Sequence, residues 1–261
     1  MKAYDIVKKA RDVQRMSTIE VIQGLCSDFV EFHGDRRDGD DQAIIGGVGM
    51  MNNGKPVTII GLQKGRDTAE NIRRNFGSSG PSGYRKAQRL MKQAEKFKRP
   101  ILTLVNTAGA HAAPESEEKG IGQAIAESLT VMSELTVPTL SIILGEGGSG
   151  GAIALSLSNQ VWMMENSIYS ILSPEGFASI LWKDASKAEE AAEMMRLTAS
   201  ELKALEIIDH IIPEKDENGQ DLSNQELAQR LGKKIQEAFV EMSQMSPQEC
   251  SQSKYDRFRK Y

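Results

Sequence analysis

Thr139-Leu140-Ser141-Ile142-Ile143-Leu144-Gly145-Glu146-Gly147-Gly148-Ser149-Gly150-Gly151-Ala152-Ile153-Ala154-Leu155 joins an apolar run, a glycine-saturated stretch and a second apolar start. The spacing predicts a buried strand over 139–144, a loop over 145–151 and a helix start at 152. Three patterns fit the glycines at once. Gly145, Gly147 and Gly150 satisfy the G-x-G-x-x-G of dinucleotide-binding turns, and Glu165 lies where a ribose-binding acid would stand. Gly147, Ser149 and Gly151 satisfy the G-x-S-x-G of a hydrolase elbow, with Asp209 and His210 following in hydrolase order. A simpler reading covers both. Glycines at a strand-to-helix junction bare backbone N–H groups, which together with the helix dipole stabilise an anion. An oxyanion hole needs no more than that.

The same alternation continues outward from this junction. Residues 101–105 read as a buried strand before a second small-residue loop, 106–114, and Tyr84, Ala87, Leu90, Met91, Ala94 and Phe97 recur at helical spacing. Residues 43–51 and 57–62 are apolar runs around Asn52-Asn53-Gly54-Lys55. This is a hairpin signal in which Asn53 and Gly54 are expected at positive φ. Residues 4–32 read as helical, as does most of the chain after 186, including an amphipathic helix over 222–242. Strands alternating with helices predict one α/β domain.

The chain has 261 residues and a formal charge of −4. Residues 64–99 carry eleven Lys or Arg against three acids, a cationic segment suited to a polyanionic small molecule or an acidic partner. No nucleic-acid motif accompanies it, so no nucleic acid is expected. Cys26 and Cys250 lie far apart, and His33, His111 and His210 show no metal spacing, so neither a metal site nor a disulfide framework is expected. Residues 49–56 only approximate a phosphate loop, since Pro56 stands where the hydroxyl residue belongs. Residues 147–164, the longest uncharged stretch, are too polar to span a membrane, and the N-terminus lacks an apolar signal core. A cytoplasmic protein without membrane contact is the expectation.

Three blocks carry a resemblance. They are Gly61-Leu62-Gln63-Lys64-Gly65-Arg66 with Ile72-Arg73-Arg74-Asn75-Phe76-Gly77 and Gly83-Tyr84-Arg85-Lys86-Ala87; Gly145 to Ala152; and Ser173-Pro174-Glu175-Gly176 through Lys183. Together they resemble the carboxyltransferase alpha subunits of bacterial multi-subunit acetyl-CoA carboxylases, over about residues 4–261. The resemblance implies a crotonase-like spiral of ββα units over 41–212, with helical extensions at 1–40 and 213–261. It implies transfer of a carboxyl group from carboxybiotin, borne on a biotin carboxyl carrier protein, to acetyl-CoA, giving malonyl-CoA for fatty acid synthesis. It implies an α2β2 assembly whose active site needs the beta subunit, and a separate biotin carboxylase that uses ATP. The zinc ribbon of such complexes belongs to the beta subunit, so no metal is implied here.

By the same resemblance the backbone N–H groups of Gly150 and Gly151 would stabilise the ureido oxygen of biotin. Gly147, Gly148, Gly109, Ala110 and His111 would line the biotin side, and Arg73 and Arg74 would meet anions. Gly151→Val is expected to abolish transfer and spare the fold. Residues 107–113, Thr-Ala-Gly-Ala-His-Ala-Ala, depart from the family's Thr-Pro-Gly-Ala-Tyr-Pro-Gly, which implies a looser loop. A serine hydrolase using Ser149, a dinucleotide-binding oxidoreductase and a non-catalytic paralogue are the alternatives.

Overall fold

Ser17 opens the first well-capped helix: its hydroxyl accepts from Glu20 N while the Glu20 carboxylate accepts from Ser17 N. That helix, α2 (Thr18–Leu25), follows α1 (Ala3–Ala10). The structure is a computed structural model and describes residues 1–260. Helix ends where β1 (Cys26–Glu31) begins, so residues 26–31 are a strand and not part of a helical lead-in. β1 is an edge strand held by antiparallel pairing to β2 (Ile44–Met51), a contact made at long range that local periodicity does not show.

β2 and β3 (Pro56–Leu62) form the expected hairpin. Only Gly54 takes positive φ in its turn, at 76°; Asn53 does not, because a four-residue connection needs one left-handed residue rather than two. α3 (Thr68–Arg73) buries none of its residues. α4 (Pro81–Lys96) starts with Pro81 in its first turn, three residues before the apolar spacing begins. It buries Tyr84, Ala87, Leu90, Met91 and Ala94, whereas Phe97 falls past its end and is exposed.

β4 (Ile101–Thr107) leads to α5 (Pro114–Glu118) and α6 (Ile121–Glu134), which Gly120 separates at φ 78°. β5 runs from Thr139 to Gly148, so most of the expected glycine loop is strand, and α7 (Ser149–Ile153) follows without a linker. β6 (Gln160–Met164), β7 (Ile168–Ser170), α8 (Pro174–Trp182), α9 (Ala188–Met195), α10 (Ala199–Ala204) and β8 (His210–Ile212) complete the core. α11 (Asn224–Met242) and α12 (Pro247–Phe258) are the C-terminal extension.

One sheet of eight strands runs in the order β1-β2-β3-β4-β5-β6-β8, parallel from β3 onward. β5 pairs with β6 over Leu140–Ile143 and then with β7 over Glu146–Gly148. Its glycine half thus exchanges one edge partner, β6 for β7, while Gly147 still pairs with Thr107 of β4. Leu140, Ile142 and Leu144 pack under α2 and α11, and Ile143 packs under α4 and α6. Both faces are therefore apolar, as parallel strands between helical layers require. Each such buried Leu or Ile contributes about 1.5–3 kcal/mol. No helix among the described residues is long and apolar enough to cross a membrane.

Candidate active site

The C-terminal ends of β4 and β5 meet at the glycine segment. Gly148 is the N-cap of α7, and Ser149 begins the helix at φ 49°. A left-handed serine between strand and helix turns the chain sharply, at a cost of about 1–2 kcal/mol. Close packing explains two glycines. A Cβ on Gly148 would stand 2.0 Å from the Ala108 carbonyl oxygen, and one on Gly151 would stand 2.6 Å from Ala110 N and 2.8 Å from the Tyr84 hydroxyl. The 108–110 backbone therefore lies directly on the turn, and the structure joins the two loops that the sequence singled out.

The candidate residues separate by position. Gly150 is half-buried and lines a cavity of about 700 Å³ with Ile153, Ile171, Phe177, Met194 and Leu205. Arg196 is the one charged residue among those lining it. Gly151 is buried behind Gly150. Gly147 and Gly148, expected on the biotin side, are buried strand residues under Tyr169 and Ala108 and do not line this cavity. Gly151→Val as a fold-sparing test fails for the same reason, since its side chain would collide with backbone.

The 107–113 loop is tied down despite its alanines. Thr107 Oγ1 donates to Gly109 O at 2.7 Å, His111 N donates to Ser79 O at 2.9 Å, and His111 Nδ1 pairs with Ser116 Oγ at 2.9 Å. The expectation of a loose loop thus meets three local hydrogen bonds.

Beneath the turn is a charge network that sequence reading missed. Glu146 is buried; its carboxylate accepts from Lys64 Nζ at 2.6 Å and Arg11 Nε at 2.8 Å. Arg11 also donates to both oxygens of Glu175, at 2.8 and 3.1 Å. Burial pushes the Glu146 carboxyl up, but Lys64 and Arg11 outweigh it and hold the group below its usual range. The hydrogen bond from Arg11 holds Glu175 down at about 2. The available signal was Glu146 itself, the one charge inside the glycine run.

The cationic segment 64–99 is largely consumed within the fold. Arg66 pairs with Glu20, Arg74 with Glu70 and the Gln42 carbonyl, and the fully buried Lys86 with Asp40 and the Asp41 carbonyl. Arg74 is therefore occupied, whereas Arg73 is exposed and makes no ion pair among the described residues.

The rival motifs lose their partners. Ile142 pairs with Trp162 and Trp162 with His210, so His210 sits level with a residue seven positions before Ser149. At about 3.3 Å per residue that is roughly 20 Å away along the strand. Asp209 is held by Arg257 at 2.6 Å. Glu165 accepts from Glu214 N. Neither the hydrolase nor the dinucleotide reading has an assembled site. Among the described residues no three His, Cys, Asp or Glu side chains gather as metal ligands.

The comparisons agree with the blocks and the fold. The family model described as acetyl co-enzyme A carboxylase carboxyltransferase-like matches residues 1–261. The chain is 52% identical over 260 residues to the acetyl-coenzyme A carboxylase carboxyl transferase subunit alpha of Streptococcus sanguinis, covering 100% of this chain and 99% of that one. It is 49% identical over 261 residues to the Streptococcus pneumoniae protein of the same name, with both chains fully covered. Transcarboxylase 12S matches at a TM-score of 0.72 and 18% identity, over 90% of this chain and 43% of that chain. A chain of a Pseudomonas malonate decarboxylase hetero-tetramer matches at 0.67 and 15%, over 86% and 87%. These likenesses show a fold shared with those chains, in line with the crotonase-like fold that the sequence blocks implied. By the family model over its whole length and by relatives near 50% identity, this chain belongs to the acetyl-CoA carboxylase carboxyltransferase-like family.

Proposed function

We propose that the chain is the alpha half of a carboxyltransferase that moves a carboxyl group from carboxybiotin on a carrier protein to acetyl-CoA, forming malonyl-CoA. The observation that carries the reading is the Gly150 turn: first-turn N–H groups, which have no acceptor within the helix, at the mouth of an apolar cavity. The donor set fits a ureido oxygen, because backbone N–H groups hold developing negative charge without a side-chain base. Carboxybiotin, when bound, supplies the activated carboxyl group. Gly150 would donate to the ureido oxygen, and Gly151 would stand behind it as second donor. The apolar walls, Ile153, Ile171 and Phe177, would exclude water and so strengthen those hydrogen bonds. Gly109, Ala110 and His111 would border the same turn.

The acceptor thioester and the beta subunit would close the site from the open side, in an α2β2 assembly. The carrier protein and an ATP-using biotin carboxylase would serve the same complex, in the cytoplasm, for fatty acid synthesis. The names of the relatives support the subunit reading; each is a subunit alpha.

Reconstitution tests it. The chain is mixed with its beta subunit, and carboxyl transfer from malonyl-CoA to a free biotin derivative is assayed. Turnover with both chains and none with either alone is the expected result; a stable complex without turnover rejects it. Gly150→Val is the discriminating variant. Its Cβ meets only the flexible Ile125 side chain, Cδ1 at 3.2 Å, so the fold is expected to survive; the backbone N–H is retained, but the added side chain displaces the ligand from the turn and kcat is expected to fall about 100-fold.

A further inference from the structure

Arg196 ends α9 in the left-handed region, at φ 50°. Glycine takes that conformation at no steric cost, and the gain from a cation near a helix C-terminus is smaller than the cost of a side chain there. Helix termination therefore does not explain an arginine. Ion pairing does not explain it either. Arg11, Arg15, Arg66, Arg74 and Arg257 each hold a carboxylate within the fold, whereas Arg196 is exposed and pairs with none among the described residues.

Its surroundings are the second observation. Arg196 is the one charged residue along a largely apolar cavity, and Gly150 lines the same cavity. The backbone sets the span between the two. Gly148 pairs with Ser170 of β7, Ile168 bridges antiparallel to Thr198, and Tyr169 N donates to Leu197 O at 3.0 Å. Residues 197–198 thus lie beside β7, two strand spacings, or roughly 10 Å, from the glycine strand. Arg196 immediately precedes them. Backbone donors on one side, apolar walls and a single unpaired guanidinium on the other fit an organic carboxylate. A guanidinium offers a carboxylate two parallel hydrogen bonds, and apolar walls strengthen the pairing relative to water.

We propose that Arg196 is a specificity residue for the carboxylated substrate: its guanidinium holds the free carboxylate of malonyl-CoA in the cavity beside the Gly150 turn, and so separates malonyl-CoA from acetyl-CoA. The inference rests on the carboxyltransferase reading above. The free carboxylate is the one group by which these two thioesters differ in charge. Pairing stabilises it before its C–C bond breaks, so Arg196 selects and orients the substrate rather than lowering the barrier, and its loss falls on KM.

Arg196→Gly tests the proposal in the reconstituted two-subunit complex. Glycine suits the left-handed position, so the thermal midpoint is expected to equal or exceed that of wild type. Calorimetric titration supplies the readout that does not depend on turnover. The Kd of malonyl-CoA is expected to rise about tenfold, with that of acetyl-CoA unchanged within about twofold. In transfer from malonyl-CoA to a biotin derivative, KM is expected to rise about tenfold and kcat to stay within about threefold. Arg196→Lys, which keeps the charge and loses the fork, is expected to fall between the two. An unchanged Kd for malonyl-CoA, or equal weakening of both thioesters, overturns the proposal. So does a defect confined to assays with the carrier protein, which would assign Arg196 to an acidic partner surface. A wild-type complex that binds both thioesters but transfers no carboxyl group rejects the carboxyltransferase reading instead.

Discussion

A single hydrogen at Gly148 is what lets the β4 loop rest on the α7 turn. The obstacle to a methyl group there is the Ala108 carbonyl, rigid backbone at 2.0 Å, not the tip of a side chain. Gly148→Ala is expected to destabilise the chain by about 2–3 kcal/mol in chemical denaturation, whereas an effect within 0.5 kcal/mol would mean that the loop moves freely. The glycine pattern was legible in the sequence, but its division of labour was not. Gly147, Gly148, Gly150 and Gly151 are chemically identical letters. Only their neighbours, Tyr169, Ala108, Ile125 and Ala110 respectively, distinguish a packing glycine from one that faces the cavity.

Helix ends show a second kind of information. α8 and α9 both stop at a left-handed residue, Lys183 at φ 59° and Arg196 at φ 50°, where glycine is the usual choice. Arg196 also lines the cavity, and Lys183 is exposed. Lys183→Gly is therefore expected to raise stability by about 0.5–1 kcal/mol, read as a higher thermal midpoint with kcat unaltered. No sequence signal marked either stop. The helices themselves were legible wherever apolar spacing was strong, as in α4 and α11, whose buried residues recur every three or four positions. Cys26-Ser27-Asp28-Phe29-Val30-Glu31 lacks a clean two-residue alternation of apolar and polar residues, so its sequence does not mark a strand. Its pairing with β2 outweighs weak local preference.

Across the molecule, Arg11 is the joint between the N-terminal helix, the glycine strand and α8, through Glu146 and Glu175. Glu175 has a folded pKa of about 2, below its unfolded value near 4.5. Its contribution is complete above pH 4.5 and is lost as pH falls from there towards 2. Arg11→Met is expected to make stability less steep against pH in that window, because the largest cause of the depressed Glu175 pKa is removed. An unchanged acid limb in pH-dependent thermal melts would show that the pair adds nothing to stability. The same substitution leaves Glu146 with Lys64 alone, so it also loosens the strand beneath the turn.

The sequence by itself determined the alternation of strands and helices and the family, because both are written in short-range spacing. Hydropathy at two- and four-residue periods, and glycines in ordered blocks, need no partner to be read. Tertiary structure alone decided that β5 changes partners midway through the glycines, that Gly150 rather than Gly147 or Gly148 meets the cavity, and that most of the cationic segment serves the fold. Those outcomes turn on pairs such as Lys64 with Glu146 and Arg11 with Glu146, 82 and 135 residues apart. Residues so distant in sequence meet only in the folded sheet, where each buried charge needs a partner that offsets the cost of desolvation.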